Sequence, residues 1–153
     1  MAGNEAGNEN ETAQKLIKAF QQFRKTGRNE KKIAGFNPSE FRVLFLIQRA
    51  NENNNEMKVS EISQKLRVTP PTVTQIINGL EKDGYIERTV NPEDRRAVKI
   101  SLTEAGLKAT EQARKKFNET FLGLIDYLGE KDSEQLAELL FKVHDYFNQL
   151  DNQ

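Results

Sequence analysis

Cysteine is absent from all 153 residues, and with it go disulfide staples, thiol redox sensing and thiolate metal sites. Histidine occurs once, as His144. A transition-metal site would therefore have to rest on carboxylates, a poor ligand set for one, and neither a metal nor a cofactor is expected. Tryptophan is missing too. No apolar run approaches the roughly 20 residues that span a bilayer, so no membrane partner is expected. The opening MAGNEAGNENE is polar and acidic and lacks the basic start and apolar core of a secretory signal. The expected compartment is the cytoplasm. Parts for enzymatic chemistry are lacking as well. There is no nucleophile–base arrangement, no phosphate-cradling glycine loop and no metal-ligand cluster, and no internal repeat is visible.

What is present is charge, at 30% of residues, beside a hydrophobic content of 36%. That balance describes a soluble, helix-rich single domain, long enough to bury a core. Net charge is zero, which excludes a wholly basic polyanion binder, but the distribution is uneven. Residues 12–49 hold nine Lys/Arg against two acidic residues, 58–99 eight against six, and 100–153 six against ten. Positive charge therefore lies in the first two thirds.

In chain order, residues 1–11 are Gly/Asn/Glu-rich without periodicity and are expected to form a disordered tail. Residues 12–36 read as a helix, with Leu16, Ile17, Phe20 and Phe23 at helical spacing, followed by the basic link RKTGRNEKK. Asn37-Pro38-Ser39-Glu40 is a helix start, with Asn37 as cap and Pro38 in the first turn. That helix carries Phe41, Leu44, Phe45, Ile47 and Gln48 and ends near Ala50. Ser60 is expected to cap a short helix that turns Val59, Ile62 and Leu66 inward. The turn Arg67-Val68-Thr69 leads to Pro70-Pro71, where a second helix begins. Gly84 stops it. Segments 85–90 and 97–102 read as strands around the turn Asn91-Pro92-Glu93-Asp94. Thr103 caps a long helix closed by Gly129, and Asp132 with Gln135 resembles a capping box for the last helix, 132–150.

Helix, turn, helix and a basic-tipped hairpin over residues 59–102 are the order of a winged helix-turn-helix. In such a unit one helix enters the major groove of DNA and a loop reaches the minor groove. On a helical wheel, Val73, Ile76, Ile77 and Leu80 of the second helix form a core stripe. Opposite lie Pro71, Gln75, Asn78 and Lys82, with Thr72 and Thr74 at the borders. Asn and Gln suit adenine in bidentate fashion, Thr suits a thymine methyl or a phosphate, and Lys82 suits backbone phosphate. Any surface helix carries polar residues opposite its stripe, so this face alone is weak evidence. The hairpin tip strengthens it. Arg95 and Arg96 suit a narrow, strongly negative minor groove. Asp94, costly near a polyanion unless paired, is expected to hold Arg96 by a bidentate contact with the guanidinium.

At this point the chain resembles the MarR family of bacterial transcriptional regulators. The matching text is SEISQKLRVTPPTVTQIINGLEKDGYIERTVNPEDRRAVKISLTEAG, residues 60–106. Its specific marks are Leu80-Glu81-Lys82-Asp83-Gly84-Tyr85-Ile86, Asp94-Arg95-Arg96 and Leu102-Thr103-Glu104-Ala105-Gly106, in that order and spacing. Flanking helices agree in number and placement, so the likeness covers about residues 12–150. It implies a mostly α fold with a small β element (α+β), a winged helix-turn-helix with flanking N- and C-terminal dimerisation helices. It divides the chain into a tail, 1–11; a dimerisation helix and link, 12–36; a DNA-binding lobe, 37–104; and C-terminal dimerisation helices, 105–150. It implies a homodimer on a pseudo-palindromic operator in double-stranded DNA, acting as a repressor relieved by a small aromatic or anionic effector. The DNA-binding set is Pro70, Pro71, Thr72, Thr74, Gln75, Asn78, Lys82, Asp94, Arg95 and Arg96. The branch of the family that senses peroxides through a cysteine is excluded.

The residues support the dimer independently. The last two helices carry more apolar side chains than one small lobe can cover, and such a surface marks a partner interface. A two-fold dimer sets its half-sites about one DNA turn, roughly 34–36 Å, apart. Phe20, Phe23, Phe36, Phe41, Phe45, Phe117 and Phe121 are available to line an inter-lobe cavity, with Arg24, Arg42 or Arg49 as anion anchors. Phenylalanine at helical spacing is far more often core, so no effector residue is assigned. The competing reading is a winged helix used as a protein-interaction module, since the fold alone does not fix function.

Overall fold

The computed structural model describes residues 5–26, 31–96 and 98–152, with side chains from Glu11 onward. Six helices and one hairpin follow in the order α1 (Glu5–Lys25), α2 (Pro38–Glu52), α3 (Val59–Leu66), α4 (Pro70–Lys82), β1 (Ile86–Val90), β2 (Val98–Leu102), α5 (Glu104–Leu128) and α6 (Glu130–Asp151). The expected mostly α, winged architecture is the one found.

α2 is the centre of the lobe. Asn37 accepts from the Glu40 backbone N–H at 2.8 Å, and the Glu40 carboxylate accepts from the Asn37 N–H at 2.9 Å. This capping box satisfies two donors the helix itself cannot. Behind it Val43, Leu44 and Ile47 are fully buried, so α2 is covered on more than one side and serves as the wall for α4, α5 and β2. Val43 joins that core although it lies off the stripe expected for this helix.

α3 and α4 pack on this wall through Ile62, Val73, Ile77 and Leu80, all buried. The turn between them is closed by Arg67 in the left-handed region (φ +53°). It is pinned by the largely buried Ser63, whose hydroxyl donates to the Val68 carbonyl at 2.5 Å. β1 and β2 pair antiparallel, Ile86 opposite Leu102 and Val90 opposite Val98. Ile86 and Ile100 turn into the core while the far end of β1 is exposed.

Several local expectations shift. α1 starts at Glu5, seven residues before the periodic stretch that begins at Thr12. The disordered tail expected for 1–11 is thus helical from Glu5, and residues 1–4 lie outside the described residues. So do residues 27–30 of the basic link and Ala97 at the expected start of the second strand. α3 is capped by the Lys58 backbone and not by Ser60; the Lys58 carbonyl accepts from the Glu61 and Ile62 N–H groups, both at 3.1 Å. The capping box expected at Asp132 does not form. Gly129 (φ +86°) ends α5 and begins α6 in a single residue, which places Asp132 inside the first turn.

Lobe and α5 meet at one close joint. The Thr103 hydroxyl caps α5 by accepting from the Gly106 N–H at 3.0 Å and donates to the Gly84 carbonyl at 2.6 Å. The Thr103 N–H donates to the Tyr85 carbonyl at 3.1 Å. A Cβ on Gly106 would lie 1.9 Å from the Tyr85 carbonyl oxygen, a backbone atom that cannot swing aside. Gly106→Ala is therefore expected to destabilise the fold by about 1–3 kcal/mol or more, as overpacking does. Urea unfolding followed by circular dichroism should show the midpoint fall; an unchanged midpoint would mean that α5 is not held this close.

Candidate nucleic-acid interface

α4 meets the core with one face and solvent with the other, as the wheel requires. Pro70, Pro71, Thr72, Gln75, Asn78 and Lys82 are exposed, and Thr74 is half-buried at the border. Pro70 opens the helix, where its missing N–H has no helical partner to lose. Thr69 stands at the cap position but does not cap. Its hydroxyl pairs with that of Thr72 at 2.9 Å, so the exposed rim of the helix start is a pair of hydroxyls. Between Thr69 and Leu80 no side chain carries negative charge. The helix ends where Gly84 adopts φ +83° and the Tyr85 N–H donates back to the Leu80 carbonyl at 2.9 Å.

The wing is built from two side-chain-to-backbone turns. Asn91 Oδ1 accepts from the Glu93 N–H, and Asp94 Oδ1 accepts from the Arg96 N–H, each at 3.0 Å. Asp94 therefore contacts Arg96 through the main chain, and the bidentate pairing expected with the guanidinium is not what forms. A carboxylate two residues upstream reaches the main-chain N–H by closing a short ring, the usual habit of Asp in turns. The effect is still to shape the tip. Arg95 and Arg96 are exposed, and among the described residues no carboxylate lies within ion-pair distance of either. Two unneutralised guanidinium groups thus stand at the end of a hairpin whose base is tied to the core by Ile86 and Ile100.

Helix and wing are joined by a residue that sequence reasoning missed. Arg88, on β1, places Nε 2.8 Å from the Glu81 carboxylate and donates from an Nη to Asn78 Oδ1. Both partners lie on α4, so the fork bridges the exposed side of the helix to the first strand. Its only signal in the sequence was the basic residue in a strand otherwise read for hydrophobicity. At the other edge of the hairpin Lys99 pairs with Glu56 in the loop before α3.

Away from this face, a row of rings runs between α2 and α5. Phe41–Phe45, Phe41–Phe117 and Phe117–Phe121 have centroids 6.1, 5.4 and 4.8 Å apart, and the Arg49 guanidinium lies 5.9 Å from the Phe45 centroid. These aromatics pack on one another. Phe36 instead meets Tyr85 edge-on at 5.2 Å. Two open grooves of about 450 and 470 Å³ flank α2, one toward the loop before α3 and one along α5. No group of three or more His, Asp or Glu able to hold a metal occurs among the described residues, and no described helix is long and apolar enough to cross a membrane.

Comparison with known proteins agrees with this geometry. Residues 36–98 match the MarR family. The HTH-type transcriptional regulator PapX of Escherichia coli is 47% identical over 73 residues, 48% of this chain and 43% of PapX; the match thus spans less than half of that relative's length. The HTH-type transcriptional repressor MdtR of Bacillus subtilis is 29% identical over 109 residues, 71% of this chain and 68% of MdtR. Among solved structures, Streptococcus pneumoniae FabT, crystallised in complex with DNA, superimposes with a TM-score of 0.64 at 23% identity over 95% of this chain and 99% of its own. The winged lobe, residues 36–98, is thus similar to that of the MarR family.

Proposed function

We propose that the chain is a sequence-specific double-stranded DNA-binding regulator of transcription, with α4 in the major groove and the Asn91–Arg96 wing in the adjacent minor groove. The observation that carries this reading is the pair Arg95 and Arg96, exposed and without a described counter-charge at the tip of a hairpin anchored beside α4. Two adjacent guanidinium groups concentrate positive potential at the tip, and a narrow minor groove supplies the matching negative field. Pro70, Pro71, Thr72, Thr74 and Gln75 form the reading surface with Asn78, Lys82 meets phosphate, and Asp94 sets the tip that presents Arg95 and Arg96. MdtR is a repressor and FabT was crystallised with DNA. Repression is accordingly the sign we assign, relieved by a small aromatic or anionic effector, with no catalytic step. Such work belongs in the cytoplasm, beside the chromosome.

The flanking helices complete the reading. Every described side chain of α1 is exposed, and α6 buries none of its residues within the chain. Yet α1 carries Leu16, Ile17, Phe20 and Phe23, and α6 carries Leu139, Leu140, Phe141, Phe147 and Leu150, each with about half or more of its surface in water. Surfaces of that kind mark an interface. We assign it to a second copy, so that residues 12–36 and 105–150 pair two lobes, 37–104, on one pseudo-palindromic operator.

Two outcomes follow. Leu140→Glu with Phe147→Glu should shift the chain from dimer to monomer in sedimentation at micromolar concentration, while the lobe keeps its fold; a dimer unchanged by both would remove α6 from the interface. Duplex binding should show log K falling linearly with log salt, and Arg96→Ala should weaken it by about 1–3 kcal/mol. If duplex binding is absent or insensitive to salt and Arg96→Ala is inert, the winged lobe is a protein-interaction module instead.

A further inference from the structure

The fork of Arg88 has a consequence for base choice. Asn78 lies on the exposed face of α4, one turn beyond Gln75 and Thr74, where a base edge would be met. An asparagine free at both atoms recognises adenine by donating to N7 and accepting from the N6 amino group. Here Oδ1 already accepts from Arg88. A guanidinium carries donors only, so this contact also settles which way the amide faces: oxygen toward Arg88, Nδ2 outward. Arg88 is itself held by Glu81 at 2.8 Å, which fixes the fork and offsets its charge. Oδ1 keeps a second lone pair, but it is turned toward Arg88, so the atom offered outward is the donor Nδ2.

We infer that Asn78 reads DNA through its outward Nδ2, as a donor, and that Arg88 is the positioning residue that turns it that way. Each half-site then carries a keto base, guanine or thymine, opposite Asn78, where adenine would otherwise be chosen. Guanine offers O6 and thymine offers O4 as acceptors where adenine and cytosine present an amino group; N7 is common to both purines and does not discriminate. This rests on the DNA-binding reading above and specifies the chemistry of one of its contacts.

Selection of bound duplexes from a random pool, with the full-length chain, tests it. Asn78→Ala identifies the operator position concerned, as the one whose preference disappears. At that position the wild-type pool should favour keto over amino bases about fivefold, the weight of one hydrogen bond. Arg88→Met should turn the same position to adenine, because Oδ1 is released to accept. Arg88→Lys, which can still donate to Oδ1, should keep the keto preference, and so should Glu81→Ala. Adenine at that position in the wild-type pool overturns the inference, even if Arg88→Met fails to fold. So does a preference that survives Arg88→Met, or one lost equally in Glu81→Ala, which would assign the effect to packing between α4 and β1. A pool in which no duplex is enriched overturns the DNA-binding reading itself, a result distinct from any of these.

Discussion

The contact between the Tyr85 carbonyl and the first turn of α5 is the constraint on which the rest of the arrangement depends. Gly84 and Tyr85 end the helix that presents the polar face, and the wing starts one residue later. Thr103 and Gly106 start the helix that leaves the lobe. Two hydrogen bonds from Thr103, at 2.6 and 3.1 Å, fasten these two segments together, and a third, at 3.0 Å from the Gly106 N–H to the Thr103 hydroxyl, caps α5 at the same point. The distance is short enough that only a residue without Cβ fits at position 106. The end of α4, the root of the hairpin and the start of α5 are therefore one rigid corner. A tilt of α5 would be passed through this corner to α4 and the wing.

A second constraint acts across the exposed side of α4. Long polar side chains on a helix ordinarily sample many rotamers, and ordering them on binding costs free energy. The Arg88 fork orders Asn78 before any partner arrives. The Thr69–Thr72 hydroxyl pair does the same at the other end of the helix, and the turns made by Asn91 and Asp94 do so in the wing. Much of this surface is preorganised by contacts among its own exposed side chains and turns. The guanidinium groups of Arg95 and Arg96 are not held in this way, and their charge acts over a longer range than a hydrogen bond.

Features held by neighbours three or four residues away were legible in the sequence. The Asn37 capping box, the Thr103 cap, the left-handed Gly84 and Gly129 and the start of α4 at Pro70 each follow from a single residue's chemistry and its immediate surroundings. The two faces of α4 were legible because 3.6-residue periodicity projects directly onto burial. Contacts between elements were not. Arg88 reaches Asn78 and Glu81 from a strand, Asn51 accepts from the Leu102 N–H 51 positions away, and Ser63 locks a turn that reads as ordinary. Asp94 shows the intermediate case. Its partner, Arg96, was correctly named, but the choice between guanidinium and main-chain N–H is decided by ring closure in the turn, which charge complementarity does not reveal. The expected cap at Asp132 failed for the opposite reason: a good local motif lost to Gly129, which serves two helices at once.

The bare apolar sides of α1 and α6 bear on how the chain holds its shape. Whatever covers Phe20, Phe23, Leu140 and Phe147 binds the folded chain and not the unfolded one. By mass action the free energy of unfolding then grows with the logarithm of the covering species' concentration. Were that species a second copy, folding stability would depend on the chain's own concentration, and a dilute solution would melt earlier than a concentrated one.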